Sequence, residues 1–241
     1  MFGPGLPIGT RGLFFCSNVL IIGNPCSIRT PEPGTWKARN ASRKPKVQTR
    51  EPTMIEREIK LQFANAGEAR TAILAAGAAP LKCRRLQEDA LFDTSDESLR
   101  RTGCALRVRS ESGRSLLTFK GPVQASRMKT REEHETVVSD GDVLTRVLES
   151  LGLHVWFRCQ KFREEFAAED ATIALDETPI GTFVEIEGGE RAIQFLARAL
   201  GRSESDYVLD SYRGLFLQRR ERLGLTGADM MFADEWSPLS S

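Results

Sequence analysis

Charged residues of one sign recur two positions apart along this sequence. The acidic pairs and then the basic pairs are Glu56/Glu58, Glu133/Glu135, Glu185/Glu187, Arg107/Arg109 and Lys161/Arg163. Carboxylate oxygens are the ligands that hard divalent cations prefer, and the planar arginine fork suits phosphate oxygens. Because like charges on one face of a strand repel each other, each pair gains from a ligand of opposite charge. The pairs therefore predict a site for a divalent metal together with a polyphosphate.

Side chains two residues apart on a β-strand point to the same face, so the pairs mark charged strand faces. Four further charged residues are expected on these faces: Lys60, Lys120, Arg131 and Asp176. An antiparallel sheet with one face in water also alternates in this way, and that is the ordinary alternative. A solvated face usually includes Thr, Ser and Gln, however, whereas nearly every position here is charged. The composition of these faces favours a ligand site.

From residue 54 onward the pattern predicts an α+β fold dominated by antiparallel sheet. Strands are expected at 54–63, 83–93, 104–111, 115–121, 131–138, 155–166, 171–177 and 182–188, and helices at 67–77, 140–151, 189–200 and 206–220. Eight antiparallel strands can close into a β-barrel, which removes the free edges of the sheet. We expect a closed eight-stranded tunnel with charged faces inward and apolar faces outward beneath flanking helices. A water-filled interior would avoid the cost of dehydrating those charges.

The composition excludes several classes of protein. The chain has 241 residues and a net charge of +1, which argues against a uniformly basic DNA-binding protein. It has no run of 18 apolar residues, so no membrane-spanning helix is expected. The five cysteines are scattered without zinc-site spacing, which favours a reducing cytoplasmic location.

The two ends of the chain differ from the middle. Residues 1–53 contain eight Lys or Arg and two Glu, are rich in Pro, Gly and Ser, and show no periodicity. They are expected to form a disordered basic extension. Either the true start lies near Met54, or the extension is a targeting segment. Residues 54–222 are expected to form the folded domain, and residues 223–241 a loose C-terminal tail.

Residues 54–220 resemble the CYTH family, the triphosphate tunnel metalloenzymes, which includes class IV adenylyl cyclases and thiamine triphosphatases. The motifs occur in the family's order: ExExK at 56–60, LRxR at 106–109, TxKGP at 118–122, RxExE at 131–135, KxR at 161–163, an Asp at 176 before GxFxExE at 181–187, and a SYxxLL-like segment at 211–216. One departure is Phe92, where many relatives have Tyr.

The resemblance implies a tunnel fold and a division of the charged residues into two roles. The metal ligands for Mg²⁺ or Mn²⁺ would be Glu56, Glu58, Glu133, Glu135, Asp176, Glu185 and Glu187. The catalytic and substrate-binding cations, which would grip a triphosphate, would be Lys60, Arg107, Arg109, Lys120, Lys161 and Arg163. Arg131 would either join this grip or pair with the acids.

The resemblance also implies a function. The first expectation is a metal-dependent triphosphatase that hydrolyses inorganic triphosphate or a triphosphorylated organic molecule. The alternatives are a class IV adenylyl cyclase that converts ATP to cyclic AMP and pyrophosphate, and a non-catalytic module that binds polyphosphate or nucleotide. The expected partner is a triphosphate-bearing small molecule, such as inorganic triphosphate, ATP or thiamine triphosphate, with no DNA or membrane partner. The protein is expected to be a monomer or homodimer.

Overall fold

Eight antiparallel strands close into a barrel in a computed structural model that describes residues 55–168 and 170–233. The strands are β1 (Ile55–Phe63), β2 (Ala79–Thr94), β3 (Ala105–Glu111), β4 (Arg114–Lys120), β5 (Lys129–Val138), β6 (Leu153–Ala168), β7 (Ala171–Thr178) and β8 (Gly181–Gly188). Their order around the barrel is β1-β5-β4-β3-β2-β6-β7-β8, and β8 pairs with β1, where Lys60 lies opposite Glu185. The predicted closed antiparallel barrel with flanking helices is confirmed.

Five helices accompany the strands within the described residues. They are α1 (Ala66–Ala75), α2 (Ser98–Arg101), α3 (Gly141–Ser150), α4 (Glu190–Ala199) and α5 (Tyr212–Arg219). The starts of α1, α3 and α5 are capped by Asn65, Asp140 and Ser211, whose side chains accept backbone hydrogen bonds from the first turn. Such caps satisfy amide groups that the helix itself leaves without partners.

The apolar faces of the strands point outward and are covered by helices. Ile59 and Leu61 of β1 are buried with Ile73 of α1 and Ile193 of α4 in the largest core cluster. A second cluster joins Phe92, Val108 and Leu148 beneath α3. Since these residues alternate with the charged ones, the same alternation directs the charges into the barrel.

Three local predictions differ from the structure. Strand β2 begins at Ala79 rather than at residue 83, and the short helix α2 was not predicted. The helix predicted over 206–220 begins only at Tyr212, because Val208 forms a bridge to Lys60 of β1, with its N–H 2.8 Å from the Lys60 carbonyl oxygen. Ser211 then caps the helix that follows.

The C-terminal segment lies along β6. Met230 forms a parallel bridge with Cys159; its N–H donates to Arg158 and its carbonyl accepts from Gln160, at 3.0 and 2.9 Å. The Met230 side chain is fully buried in a cluster with Phe157 and α5. Around Met230 this differs from the loose tail predicted over 223–241, because a buried apolar side chain and backbone hydrogen bonds hold the segment; residues 234–241 of that prediction lie outside the described residues.

The predicted extension at 1–53 lies outside the described residues. No helix among those described is both long enough and apolar enough to cross a membrane.

Candidate anion and metal site inside the barrel

The barrel encloses a cavity of about 1170 Å³, at the upper end of the range for small-molecule sites. Thirteen of the fourteen predicted site residues line it: Glu56, Glu58, Lys60, Arg107, Arg109, Lys120, Arg131, Glu133, Glu135, Lys161, Arg163, Glu185 and Glu187. The fourteenth, Asp176, is fully buried and hydrogen-bonds to two of these residues. Strand alternation therefore brings together the residues that the sequence pattern grouped.

Two arginines of β3 form one wall of the cavity. Arg109 is held by Asp89 of β2 through two hydrogen bonds of 2.6 and 2.8 Å. Arg107 donates from Nη2 to Thr118 at 3.1 Å, but its buried Nε has no hydrogen-bond partner among the described residues. Burial and the adjacent charge of Arg109 lower the pKa of Arg107. A buried donor without a partner is costly, so Arg107 has a free donor for an anion.

Asp176 of β7 holds a second group of cations. Its carboxylate accepts from Lys161 Nζ at 2.8 Å, from Arg163 Nε at 2.6 Å and from the Tyr212 hydroxyl at 2.6 Å. Glu185 forms ion pairs with Lys60, at 2.9 Å, and with Arg163. Burial, followed by the charge of Arg163, lowers the pKa of Lys161 to about 8.

The ring of Tyr212 contacts two of these ammonium groups. Lys60 Nζ and Lys161 Nζ lie 4.7 and 4.9 Å from its centroid. Cation–π attraction at these distances helps to keep both ammonium groups in place.

Carboxylates predominate in another part of the cavity. Lys120 lies between Glu56 and Glu133, at 2.6 and 3.0 Å, and Arg131 contacts Glu56 at 3.2 Å. Glu187 is exposed to solvent, but partial dehydration beside the other acids, and then the charges of Glu56 and Glu133, raise its pKa to about 7. The negative charge around Glu187 is thus incompletely neutralised by the neighbouring cations.

The remaining predicted acids are each paired. Glu58 accepts a hydrogen bond from Lys129 at 2.5 Å. Burial alone would raise the pKa of Glu58, but the charge of Lys129 brings it well below its usual range. Glu135 accepts from Thr118 at 2.8 Å and lies 3.5 Å from Arg107. These contacts fix both carboxylates against the cavity wall.

The fit of a divalent metal differs between the predicted ligands. Within residues 55–168 and 170–233, no group of three or more His, Cys, Asp or Glu is placed so that it could hold a metal ion. The charges of Glu56 and Glu133 nevertheless raise the pKa of Glu187, and the carboxylate oxygens of these three residues suit a hard cation. The oxygens of Asp176 and Glu185 are paired with Lys60, Lys161 and Arg163, and those of Glu56 with Lys120 and Arg131, so a metal at any of these three carboxylates would have to displace cations.

Sequence reasoning missed several residues of the site. These are Gln87, Asp89, Lys129 and Tyr212. Lys129 lies two residues before Arg131, so extending the alternation of β5 backward would have found it. Tyr212 lies in the segment at 211–216 that carries part of the family resemblance, although its contacts could not be read from that motif.

The comparisons with known proteins agree with this architecture. A CYTH domain match covers residues 54–212. Over 135 residues the chain is 33% identical to “Putative adenylate cyclase MJ0240” of Methanocaldococcus jannaschii, which covers 56% of this chain and 77% of that protein.

Solved structures share the fold. A “putative adenylate cyclase” from Vibrio parahaemolyticus has a TM-score of 0.61 and 23% identity, and the likeness covers 68% of this chain and 99% of that one. The PH1819 protein from Pyrococcus horikoshii OT3 has a TM-score of 0.59 and 27% identity, with the same coverage of 68% and 99%. Because the domain match extends over more than half of the sequence, the chain belongs to the CYTH domain family.

Proposed function

We propose that this protein is a divalent-metal-dependent triphosphatase that hydrolyses inorganic triphosphate or a triphosphate carried by an organic group. The observation that carries the proposal is the cation wall of one cavity, in which the buried Nε of Arg107 has no hydrogen-bond partner among residues 55–168 and 170–233. A dense set of fixed cations that faces carboxylates in one cavity suits a polyanion bound together with a metal.

The cations would bind and orient the polyanion. Arg109 and Arg163 are each held by a buried aspartate, so their forks are fixed before a ligand enters. Positioned guanidinium groups stabilise the negative charge that develops on transferring phosphoryl oxygens. Because phosphoryl transfer depends mainly on positioning and electrostatics, no separate nucleophilic side chain is required.

The carboxylates Glu56, Glu133 and Glu187 are the best candidates to hold Mg²⁺ or Mn²⁺, with Glu58 and Glu135 as supports. When bound, such an ion neutralises phosphate oxygens and lowers the pKa of a coordinated water. Lys120 lies between Glu56 and Glu133, and Arg131 contacts the other oxygen of Glu56, so both cations would have to turn toward a phosphate for those oxygens to hold a metal.

A second candidate is an adenylyl cyclase that forms cyclic AMP and pyrophosphate from ATP. The observation in its favour is the 33% identity to the Methanocaldococcus jannaschii protein, whose name describes a cyclase. Hydrolysis is the first choice because it requires only water and a triphosphate, whereas cyclisation also requires an oriented ribose hydroxyl.

The test is turnover of inorganic triphosphate and ATP by the purified protein with Mg²⁺ or Mn²⁺. We expect metal-dependent release of phosphate, and about a ten- to hundredfold loss of kcat/KM in Arg107→Gln, as for one charge-assisted contact. Arg114→Gln, an exposed change at the end of β4, is the matched control. Cyclic AMP as the main product from ATP would establish the second candidate instead. Tight binding without any turnover would leave only a binding module.

A further inference from the structure

One part of the cavity wall contains Arg100, Trp156 and Arg213, which the triphosphate site does not use. We call these three residues the arginine–tryptophan cluster. The guanidinium carbons of Arg100 and Arg213 lie 4.2 and 4.7 Å from the centroid of the Trp156 ring. The three residues come from α2, β6 and α5, so three separate elements converge on one indole.

A β-bulge directs Trp156 into this position. Leu91 of β2 lies opposite Phe157 and Phe92 lies opposite Val155, so Trp156 has no partner residue on β2. A bulge of this kind turns a side chain away from the direction that regular alternation would give it, and bulges are frequent next to functional sites.

Arg100 is fixed before any ligand binds. Its Nε lies 3.1 Å from an oxygen of Asp93, which is fully buried, and Glu97 contacts its Nη2 at 2.8 Å. Glu97 has a φ of +60°, a conformation that is unfavourable for a residue other than glycine. Strained and buried groups of this kind are common where a binding surface is pre-organised.

Arg213 is not neutralised in the same way. None of the described residues forms an ion pair or a hydrogen bond with its guanidinium group, while Arg100 lies on the same indole. Burial, followed by the charge of Arg100, lowers the pKa of Arg213. Asp93 and Glu97 balance the charges of Arg100 and Arg213, so the cluster is close to neutral overall, while the donors of Arg213 can still serve an uncharged or anionic group.

We propose that the arginine–tryptophan cluster binds the base of a nucleoside triphosphate whose phosphates lie against the cations deeper in the barrel. This inference rests on the proposed triphosphate function and narrows its substrate. Nucleobases stack on guanidinium planes as well as on aromatic rings, and the cluster offers both.

The spacing along β6 agrees with this placement. Trp156 lies five residues before Lys161, or about 16 Å along the strand at about 3.3 Å per residue. A sugar and base attached to the triphosphate would extend toward the cluster. Leu91, Phe157 and Leu209 add apolar surface to this part of the cavity, which suits a base better than it suits further phosphate groups.

The experiment compares kcat/KM for ATP with kcat/KM for inorganic triphosphate in the full-length protein. Loss of one stacking contact in Arg213→Gln or Trp156→Leu should lower this ratio about tenfold through a higher KM for ATP. Arg222→Gln, an exposed change beyond α5, should leave the ratio at its original value.

Several outcomes would overturn the inference. If kcat/KM falls equally for ATP and inorganic triphosphate in both variants, the cluster has a structural role. If kcat/KM changes for neither substrate, the cluster does not belong to the substrate site. A selective loss of inorganic tetraphosphate turnover would assign the cluster to longer phosphate chains. If the protein hydrolyses no triphosphate, the proposed function fails. In that case calorimetry measures the dissociation constants of ATP and inorganic triphosphate for the same variants. The inference then stands only if the variants weaken the binding of ATP more than that of inorganic triphosphate.

Discussion

At the scale of single residues, the cavity divides its charges into two environments. Burial alone would raise the pKa of Asp176, but Arg163 and then Lys161 bring it below the usual range, so this carboxylate is charged and paired. At Glu187, partial dehydration and the neighbouring acids act in the same direction, and the pKa rises to about 7. The carboxylate of Asp176 is therefore neutralised by its own neighbours, whereas the carboxylates around Glu187 would be stabilised by an added cation.

The raised pKa of Glu187 predicts how stability depends on pH in the metal-free protein. Because this pKa lies above the value of about 4.5 for an unperturbed Glu, the protonated form is favoured in the folded state. The resulting stability is fully present below pH 4.5 and is lost as the pH rises through 7. We expect the Tm of the wild type to fall relative to that of Glu187→Gln between pH 5 and 8, measured in chelator by circular dichroism.

Glu149→Gln, at an exposed position at the end of α3, is the control for this measurement. Its Tm should follow that of the wild type across the pH range. Parallel curves for the wild type and Glu187→Gln would show that the carboxylates near Glu187 do not repel each other in the folded protein.

Most charged residues of the site could be predicted because each lies two positions from another on a regular strand. Asp89 was missed because it follows Gln87 and Glu88, and three consecutive polar residues show no alternation, although the register of β2 is regular there. The roles of Asp176 and Glu185 were also not fixed by spacing. A carboxylate can hold either a metal or an arginine, and only the contacts with Lys161, Arg163 and Lys60 distinguish these roles.

At the scale of elements, the hairpin of β7 and β8 depends on a close approach of backbone. A Cβ atom on Gly188 would lie 2.7 Å from the carbonyl oxygen of Asp170 and 2.8 Å from the Cβ of Ala171. Gly189, the next residue, has open space around the same position. The two neighbouring glycines therefore differ in whether the fold requires the absence of a side chain.

Gly188→Ala should lower the free energy of unfolding by about 1–3 kcal/mol, because the added methyl group forces backbone or Ala171 to move. Gly189→Ala, at the N-cap of α4 with a φ of −68°, should cost less, about 0.5–1 kcal/mol, because no atom lies near the added methyl group and alanine is only a poorer N-cap than glycine. Urea denaturation of both variants measures the difference. Equal midpoints would mean that the hairpin adjusts without cost.

The elements could be predicted where strands are regular and hairpins are short, which includes all eight strands in their chain order. The missed parts have local causes. Pro80 and the adjacent register shifts hide the start of β2, and α2 contains only four residues, fewer than a periodic pattern needs. The bridge between Val208 and Lys60 is a long-range contact that no local pattern indicates.

At the scale of the whole molecule, the C-terminal segment around Met230 packs against the outside of the closed barrel. Met230 is fully buried against β6 and α5, whereas Leu223, seven residues earlier, is 45% exposed. The C-terminal segment therefore contributes to the core beside the strand that holds Lys161. Its composition gave no signal, because a single buried residue shows no periodicity.

Met230→Ala should lower the free energy of unfolding by about 2–5 kcal/mol, the usual cost of truncating a buried methionine. Leu223→Ala should cost much less, since its side chain is already half in water. Thermal or urea denaturation tests both variants. A negligible effect of Met230→Ala would mean that the segment is held only weakly to β6.

The closing pair of the barrel joins the first strand of the domain to its last. β1 pairs with β5 and with β8, and the cluster that buries Ile59 and Leu61 is complete only when β8 and α4 join α1. During synthesis, β1 is made before the other strands and can complete its hydrogen bonding only after β8, the last strand, has been made. Because contacts distant in sequence form slowly, closure of the barrel between β1 and β8 is expected to be a late step of folding.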